Sequence, residues 1–189
     1  PRSTRKESSA ASDCIRDRKM TADIVSKGVK DTYTNTDTMV RGIVMRNCNL
    51  GEHPKIRDYG SEPFVFNIRH ATNMNHNFRT TLWTGQDMQL TLMCIPACGD
   101  IGVEMHPDVD QFIRVESGKA KVYMGSCLNH LQEQACVDEN FAILIPAGTW
   151  HNIVNVGVCP LKLYSLYAPP QHPYGTVHRT KKDAEHEEH

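Results

Sequence analysis

The chain has 189 residues, a length suited to one domain with a sizeable core. Lys and Arg number 21 against 22 Asp and Glu, so no net field steers it toward nucleic acid or an anionic membrane, and a small-molecule ligand is the expected partner. No apolar run approaches the roughly 18–20 residues that span a bilayer, and the basic start, Pro1-Arg-Ser-Thr-Arg-Lys6, is not followed by the apolar core of a secretory signal, so the expectation is a cytoplasmic protein.

Residues 1–30 carry eight Lys/Arg against four Asp/Glu and no aromatic side chain, which leaves little apolar surface to offset ordering entropy. A short amphipathic helix over residues 14–25 and an edge strand over residues 39–45 are the elements expected in an N-terminal arm, residues 1–61. Residues 63–68 read as a strand that opens the main domain, residues 62–170, and a polar link follows to Asn77. Beyond Phe78, strand signals recur at residues 79–83, 88–95, 103–106, 111–116, 119–124, 141–145, 150–156 and 161–167, with Gly turns between them. Many short strands with turns every 8–12 residues or so predict an all-β sandwich or barrel. Residues 125–140 read as a linker, and residues 171–189 as an irregular C-terminal tail. The seven cysteines form no C-x2-C pair and no disulfide framework. Cys94 and Cys98, on an extended segment, lie more than about 10 Å apart.

Strand alternation assigns faces. Ala120, Val122 and Met124 point inward, Gln111, Ile113 and Val115 share a face, and so do Glu104 with His106 and His151 with Ile153 and Asn155. Glu104, His106, Gln111 and His151 therefore lie on inward faces, where an unpartnered polar group is costly. Two imidazoles, a carboxylate and an amide suit one divalent transition metal such as Fe, Mn, Zn or Ni. A metal-free polar network is the plain alternative. His172 and His178 are weaker candidates for acid–base or substrate-contact roles, an exposed tail being the simpler reading. Arg79 is a candidate contact for an anionic substrate, and Arg114 is expected to face outward. Trp83 and Trp150 read as packing groups.

Two stretches, Glu104-Met-His106-Pro-Asp-Val-Asp-Gln111-Phe-Ile-Arg-Val-Glu-Ser-Gly118 and Pro146-Ala-Gly148-Thr-Trp-His151-Asn-Ile-Val-Asn155, resemble the two motifs of the cupin superfamily, G-x5-H-x-H-x3,4-E-x6-G and G-x5-P-x-G-x2-H-x3-N. The resemblance implies an all-β double-stranded β-helix, a jelly-roll barrel with irregular arms at both ends, and a metal held by Glu104, His106, Gln111 and His151. The set departs from the family pattern: Glu104 stands at the first His and Gln111 at the Glu, so one anionic ligand is kept but moved. Cys98 and Asn140 stand at the opening glycines. The ending Tyr167-Ala-Pro-Pro-Gln-His172-Pro-Tyr-Gly-Thr-Val-His178 is similar to small cupins labelled mannose-6-phosphate-isomerase-like. These features imply a metal-dependent isomerase of a sugar or sugar phosphate. An Fe(II)-dependent dioxygenase is the first alternative, and a non-catalytic small-molecule-binding or sensor cupin the second. Exposed barrel edges point to a homodimer.

Overall fold

The regular recurrence of short alternating segments produces nine strands and two short helices among residues 55–187, the residues that the computed structural model describes. In chain order these are α1 (Ile68–Met74), β1 (Arg79–Thr84), β2 (Gln89–Ile95), β3 (Asp110–Ser117), β4 (Ala120–Gly125), β5 (Gln132–Val137), β6 (Ala142–Ile145), β7 (Trp150–Asn155), β8 (Leu161–Ala168), β9 (Val177–His178) and α2 (Lys181–Glu187). Six strands form one antiparallel sheet in the order β6-β3-β8-β2-β1-β9, and three form a second in the order β5-β4-β7. This is the double-stranded β-helix expected from the sequence.

Register decides what the barrel contains. Across β3, β8 and β2, Gln111 is opposite Tyr167 and Tyr167 opposite Gln89; one row further on, Ile113, Ser165 and Thr91 align, and then Val115, Leu163 and Met93. Between the sheets, Ile113, Val115, Leu161, Leu163, Met93 and Ile95 pack with Ala120, Val122 and Ile153 in one buried apolar cluster, and Ala184 of α2 joins it. The predicted inward sets on β3, β4 and β7 are buried accordingly, with Met124 half-buried against the cluster.

Outside the six-stranded sheet lies a second cluster. Leu82, Leu90 and Leu92 are buried beneath Ala71 of α1, with Ile56, Tyr59, Phe66 and Ile68 packed around them. Burial on both faces explains why β2 is buried at six of seven positions. It also means that the polar members of β2, Gln89 and Thr91, belong to the opposite face from Leu90 and Leu92 and share it with Met93 and Ile95.

Several expected elements are corrected. Residues 63–68 are not a strand: helix α1 begins at Ile68, where the Asn67 side chain caps it by accepting from the His70 N–H at 2.9 Å. The linker of residues 125–140 contains β5, which pairs with β4. Residues 103–106 form no strand; pairing there is reduced to isolated bridges of Asp100 with Val154 and Glu104 with His151. The C-terminal tail is more ordered than its prolines suggest. Gln89 accepts from the His172 N–H at 2.9 Å and donates to the His172 carbonyl at 2.7 Å, after which β9 pairs with β1 and α2 closes the chain. The helix and strand expected at residues 14–25 and 39–45 lie outside the described residues.

Candidate metal centre

Backbone pairing brings the two motif stretches together. Glu104 and His151 exchange N–H···O bonds of 3.0 and 2.9 Å, and the Gly148 N–H donates to the His106 carbonyl at 2.7 Å. His151 is therefore the direct neighbour of Glu104. Gln111 is placed separately, at the start of β3, which pairs with β6 and β8 and not with residues 103–106. Turns that the motif assigns to glycine are made by other residues here. Cys98 and Asn140 take positive φ values of 60° and 73°, as do Gly118 and Gly148 at 101° and 77°. For Cys98 this disfavoured conformation is held by its surroundings. Pro96 accepts from both the Gly99 N–H and the Asn155 side chain, and the Asn155 N–H donates to the Gly99 carbonyl.

Three side chains converge. Glu104 Oε1 lies 3.3 Å from His151 Nε2 and 3.6 Å from His106 Nε2, and one ligand atom from each residue falls within 4.8 Å of the others. Donors about 2.1 Å from a common ion at a tetrahedral angle are roughly 3.4 Å apart, so these separations suit a single metal. The ring orientation of His151 also fits. Its Nδ1 is 2.9 Å from the Thr149 carbonyl, which only accepts, so Nδ1 carries the proton and Nε2 presents its lone pair to the cluster. Both Nε2 atoms are buried without a hydrogen-bond partner, a state that a metal ion would relieve. In the metal-free site burial opposes ionisation of Glu104, but an Nε2–H on the facing imidazoles and the positive charge of Arg79 favour it, and they hold the carboxyl well below its ordinary range.

Gln111 is buried at the start of β3, its amide nitrogen 3.4 Å from Ser165 Oγ and its amide oxygen buried without a hydrogen-bond partner. Three more atoms in the same situation are Tyr167 Oη, Thr91 Oγ1 and His172 Nε2. The Tyr167 ring packs edge-on against His106 at 5.7 Å and against His172 at 5.1 Å. Burial pushes the Tyr167 phenol up to about 12, so it remains a proton donor. Burial, reinforced by Arg79, pushes His172 down to about 3, so its imidazole is neutral at physiological pH. His178 is buried on β9, opposite Arg79. Neither histidine is part of an exposed tail.

Arg79 was legible as a possible substrate contact, but its surroundings were not. Its guanidinium is buried, and Nη2 lies 3.6 Å from Glu104 Oε2. Sequence reasoning missed Tyr167, Thr91, Ser165 and Gln89. The available signal was the alternation of Gln89 and Thr91 with Leu90 and Leu92, which places polar side chains together on one face of a strand that is apolar on the other. Arg114 is half-exposed and donates to Asn140 at 3.0 Å. Cys94 and Cys98 are both free.

Two antiparallel sheets wrapped around a Glu/His/His cluster define a jelly-roll protein whose three donors are close enough together to hold one metal ion. A cupin domain model matches residues 91–167. The chain is 53% identical to the uncharacterized protein YrkC of Bacillus subtilis over 144 residues, 76% of this chain and 77% of that one. It is 38% identical to the uncharacterized protein L612 of Acanthamoeba polyphaga mimivirus over 118 residues, 62% of this chain and 72% of that one. The crystal structure of BH2720 from Bacillus halodurans superposes with a TM-score of 0.68 at 55% identity, covering 69% of this chain and 99% of that one. The chain belongs to the cupin superfamily. Among the described residues no helix is long and apolar enough to cross a membrane.

Proposed function

We propose that Glu104, His106 and His151, with Gln111 beside them, hold one divalent transition metal, and that the protein isomerises a small hydroxy-carbonyl compound of the sugar or sugar-phosphate kind. The observation that carries the metal reading is the pair of buried, unpartnered imidazole nitrogens on either side of one carboxylate oxygen, with the tautomer of His151 set by Thr149. A divalent ion in this position would act as a Lewis acid on a carbonyl oxygen.

The chain's own residues would do the rest. His172, whose main chain is held by Gln89, is the residue assigned to take a proton from the carbon beside the carbonyl and return it to the neighbouring carbon. That role requires the bound substrate to raise the basicity of an imidazole that burial, reinforced by Arg79, pushes down to about 3. Tyr167, protonated and buried, donates a hydrogen bond to a substrate oxygen without carrying charge. The similarity of residues 167–178 to the ending of mannose-6-phosphate-isomerase-like cupins supports the same reading. A second reading, an Fe(II) dioxygenase, is favoured by the donor set itself, since two imidazoles and one carboxylate leave coordination positions open.

Metal analysis of the purified protein beside Glu104→Ala and His151→Ala tests the centre. One ion per chain, lost in both variants, is expected; a metal-free protein with normally folded variants would refute it. The metal-loaded protein, incubated with mannose 6-phosphate in D2O, should exchange the proton next to the carbonyl, and His172→Ala should stop exchange while keeping its metal. Oxygen consumption by the Fe(II) form without such exchange would select the dioxygenase instead.

A further inference from the structure

The segment that carries His172 has little apolar surface to hold it in place. Ala168, Pro169, Gln171, Pro173, Tyr174 and Gly175 are exposed, yet the His172 imidazole lies against Tyr167 at 5.1 Å, and the Tyr167 ring also meets His106 at 5.7 Å. Polar contacts therefore fix this tail. Gln89, fully buried at the start of β2, accepts from the N–H groups of Gln171 and His172 at 3.3 and 2.9 Å and donates to the His172 carbonyl at 2.7 Å. An amide so placed copies the two-way pairing of a neighbouring strand.

The direction of that amide is set from elsewhere. Its second Nε2 hydrogen goes to Thr84 Oγ1 at 3.0 Å, on the residue that pairs with Gln89 where β1 turns into β2. Thr84 in turn donates to Asp58 Oδ2 at 2.6 Å. A carboxylate only accepts, so the Thr84 hydrogen is committed to Asp58 and its lone pair must face a donor. Nε2 of Gln89 is that donor, which leaves Oε1 to receive the main-chain N–H groups of the tail. Asp58 is buried and precedes α1 and β1 in the chain. Its carboxylate also accepts from the Gly60 N–H at 2.8 Å and the Gly175 N–H at 3.1 Å, and its carbonyl accepts from Tyr174 Oη at 3.2 Å. Burial opposes its charge, but hydrogen bonds from Thr84, Gly60, Gly175 and Thr81 outweigh burial and hold it below the ordinary carboxylate range.

We propose that Asp58 is a positioning residue for His172: acting through Thr84 and Gln89, its carboxylate fixes the main chain that holds the imidazole against Tyr167 beside the metal centre. Without the Thr84 hydroxyl, the Gln89 amide loses the contact that selects its orientation; flipped, it would set its NH2 group against the N–H groups of the tail. The inference rests on the isomerase reading for the part His172 plays in the reaction, while the placement of His172 rests on these hydrogen bonds.

Three substitutions test it. Thr84→Val removes the hydroxyl at nearly constant shape, Asp58→Asn removes the charge, and Thr84→Ser keeps the hydroxyl. Circular dichroism and urea unfolding establish folding, and metal content is measured on each variant. Amide hydrogen exchange at His172 should quicken about tenfold in Thr84→Val and Asp58→Asn, as the loss of roughly one hydrogen bond requires, while the amides of β8 keep their protection. In the metal-loaded protein, proton exchange from mannose 6-phosphate in D2O should lose about tenfold to a hundredfold in kcat, with KM and metal content little changed. Thr84→Ser should restore both readouts. Unchanged amide exchange at His172 in the folded variants would overturn the proposal. So would faster exchange there with kcat unaltered, in a protein whose activity His172→Ala abolishes. A wild-type protein inactive on mannose 6-phosphate, or an active His172→Ala, defeats the isomerase reading separately. Amide exchange at His172 then decides the placement by itself, with quickening in its support and constancy against it.

Discussion

The barrel interior has two ends built from the same strands. At one end β2 and β8 turn Met93, Ile95, Leu161 and Leu163 inward, and β3 and β7 add Val115 and Ile153, all buried in one apolar cluster. Two residues further along β2, β8 and β7 the chemistry changes, to Thr91 and Gln89, to Ser165 and Tyr167, and to His151, and on β3 it changes four residues along, past Ile113, at Gln111. Both ends are equally dry, yet at the second end Thr91, Tyr167, Gln111 and His151 each keep a buried atom without a hydrogen-bond partner. An apolar end is stabilised by removing surface from water. The polar end bears the cost of desolvated groups, and such a cost persists where a ligand or ion repays it.

That contrast makes predictions of decreasing size. Leu163→Ala, at the apolar end, should cost about 2–5 kcal/mol in urea unfolding and leave metal content unchanged, because it opens a cavity far from the cluster in chemical role. An equal loss of metal would mean that the two ends are not separable.

The polar end should dominate the acid response. Burial first, then the field of Arg79, lowers His172 from an ordinary value of 6.5 to about 3, so the unfolded chain binds a proton over that interval and the folded one does not. Stability should therefore be complete above about pH 6.5 and fall as pH drops toward 3, by up to about 1.4 kcal/mol per unit. Glu104, whose carboxyl is also depressed, contributes stability lost as pH falls below its ordinary 4.5. His172→Gln should flatten the upper part of this limb, and an unchanged limb would show that His172 is not the group responsible.

Metal should stabilise the native protein by about 2.7 kcal/mol at a hundredfold excess over its Kd, and thermal unfolding of His151→Ala should show no such gain. The smallest effect is expected from Tyr167→Phe. The Tyr167 hydroxyl lies beside Ser165 and Thr91 without a well-formed hydrogen bond, so removing it should change stability by less than about 1 kcal/mol, whereas a loss of several would reveal a structural bond instead of a ligand contact.

The architecture was legible because strand period and turn residues are local. Ala120-Lys-Val-Tyr-Met124 alternates with period two wherever it sits, and Gly118 and Gly148 take the left-handed turns that their positions require. Local signals failed where a capping contact or a distant partner decided the outcome. Residues 63–68 carry strand-like Phe and Val, but Asn67 supplies a helix cap, and among the described residues no strand pairs with this segment. The exposed run Gln132–Val137 looks like linker and becomes β5 because β4 offers it an edge.

Of the candidate centre, the sequence by itself determined the chemistry of Glu104, His106, Gln111 and His151 and the strand alternation that turns Gln111 and His151 inward. Only the tertiary structure decided that Glu104 and His151 are directly bridged, that Arg79 stands behind the carboxylate, and that Gln89 folds the tail so that His172 covers Tyr167. The physical reason is one of range. Side-chain alternation is set by the pleat within a strand, but the field around a buried carboxylate is set by whichever charges the packing of distant segments leaves beside it.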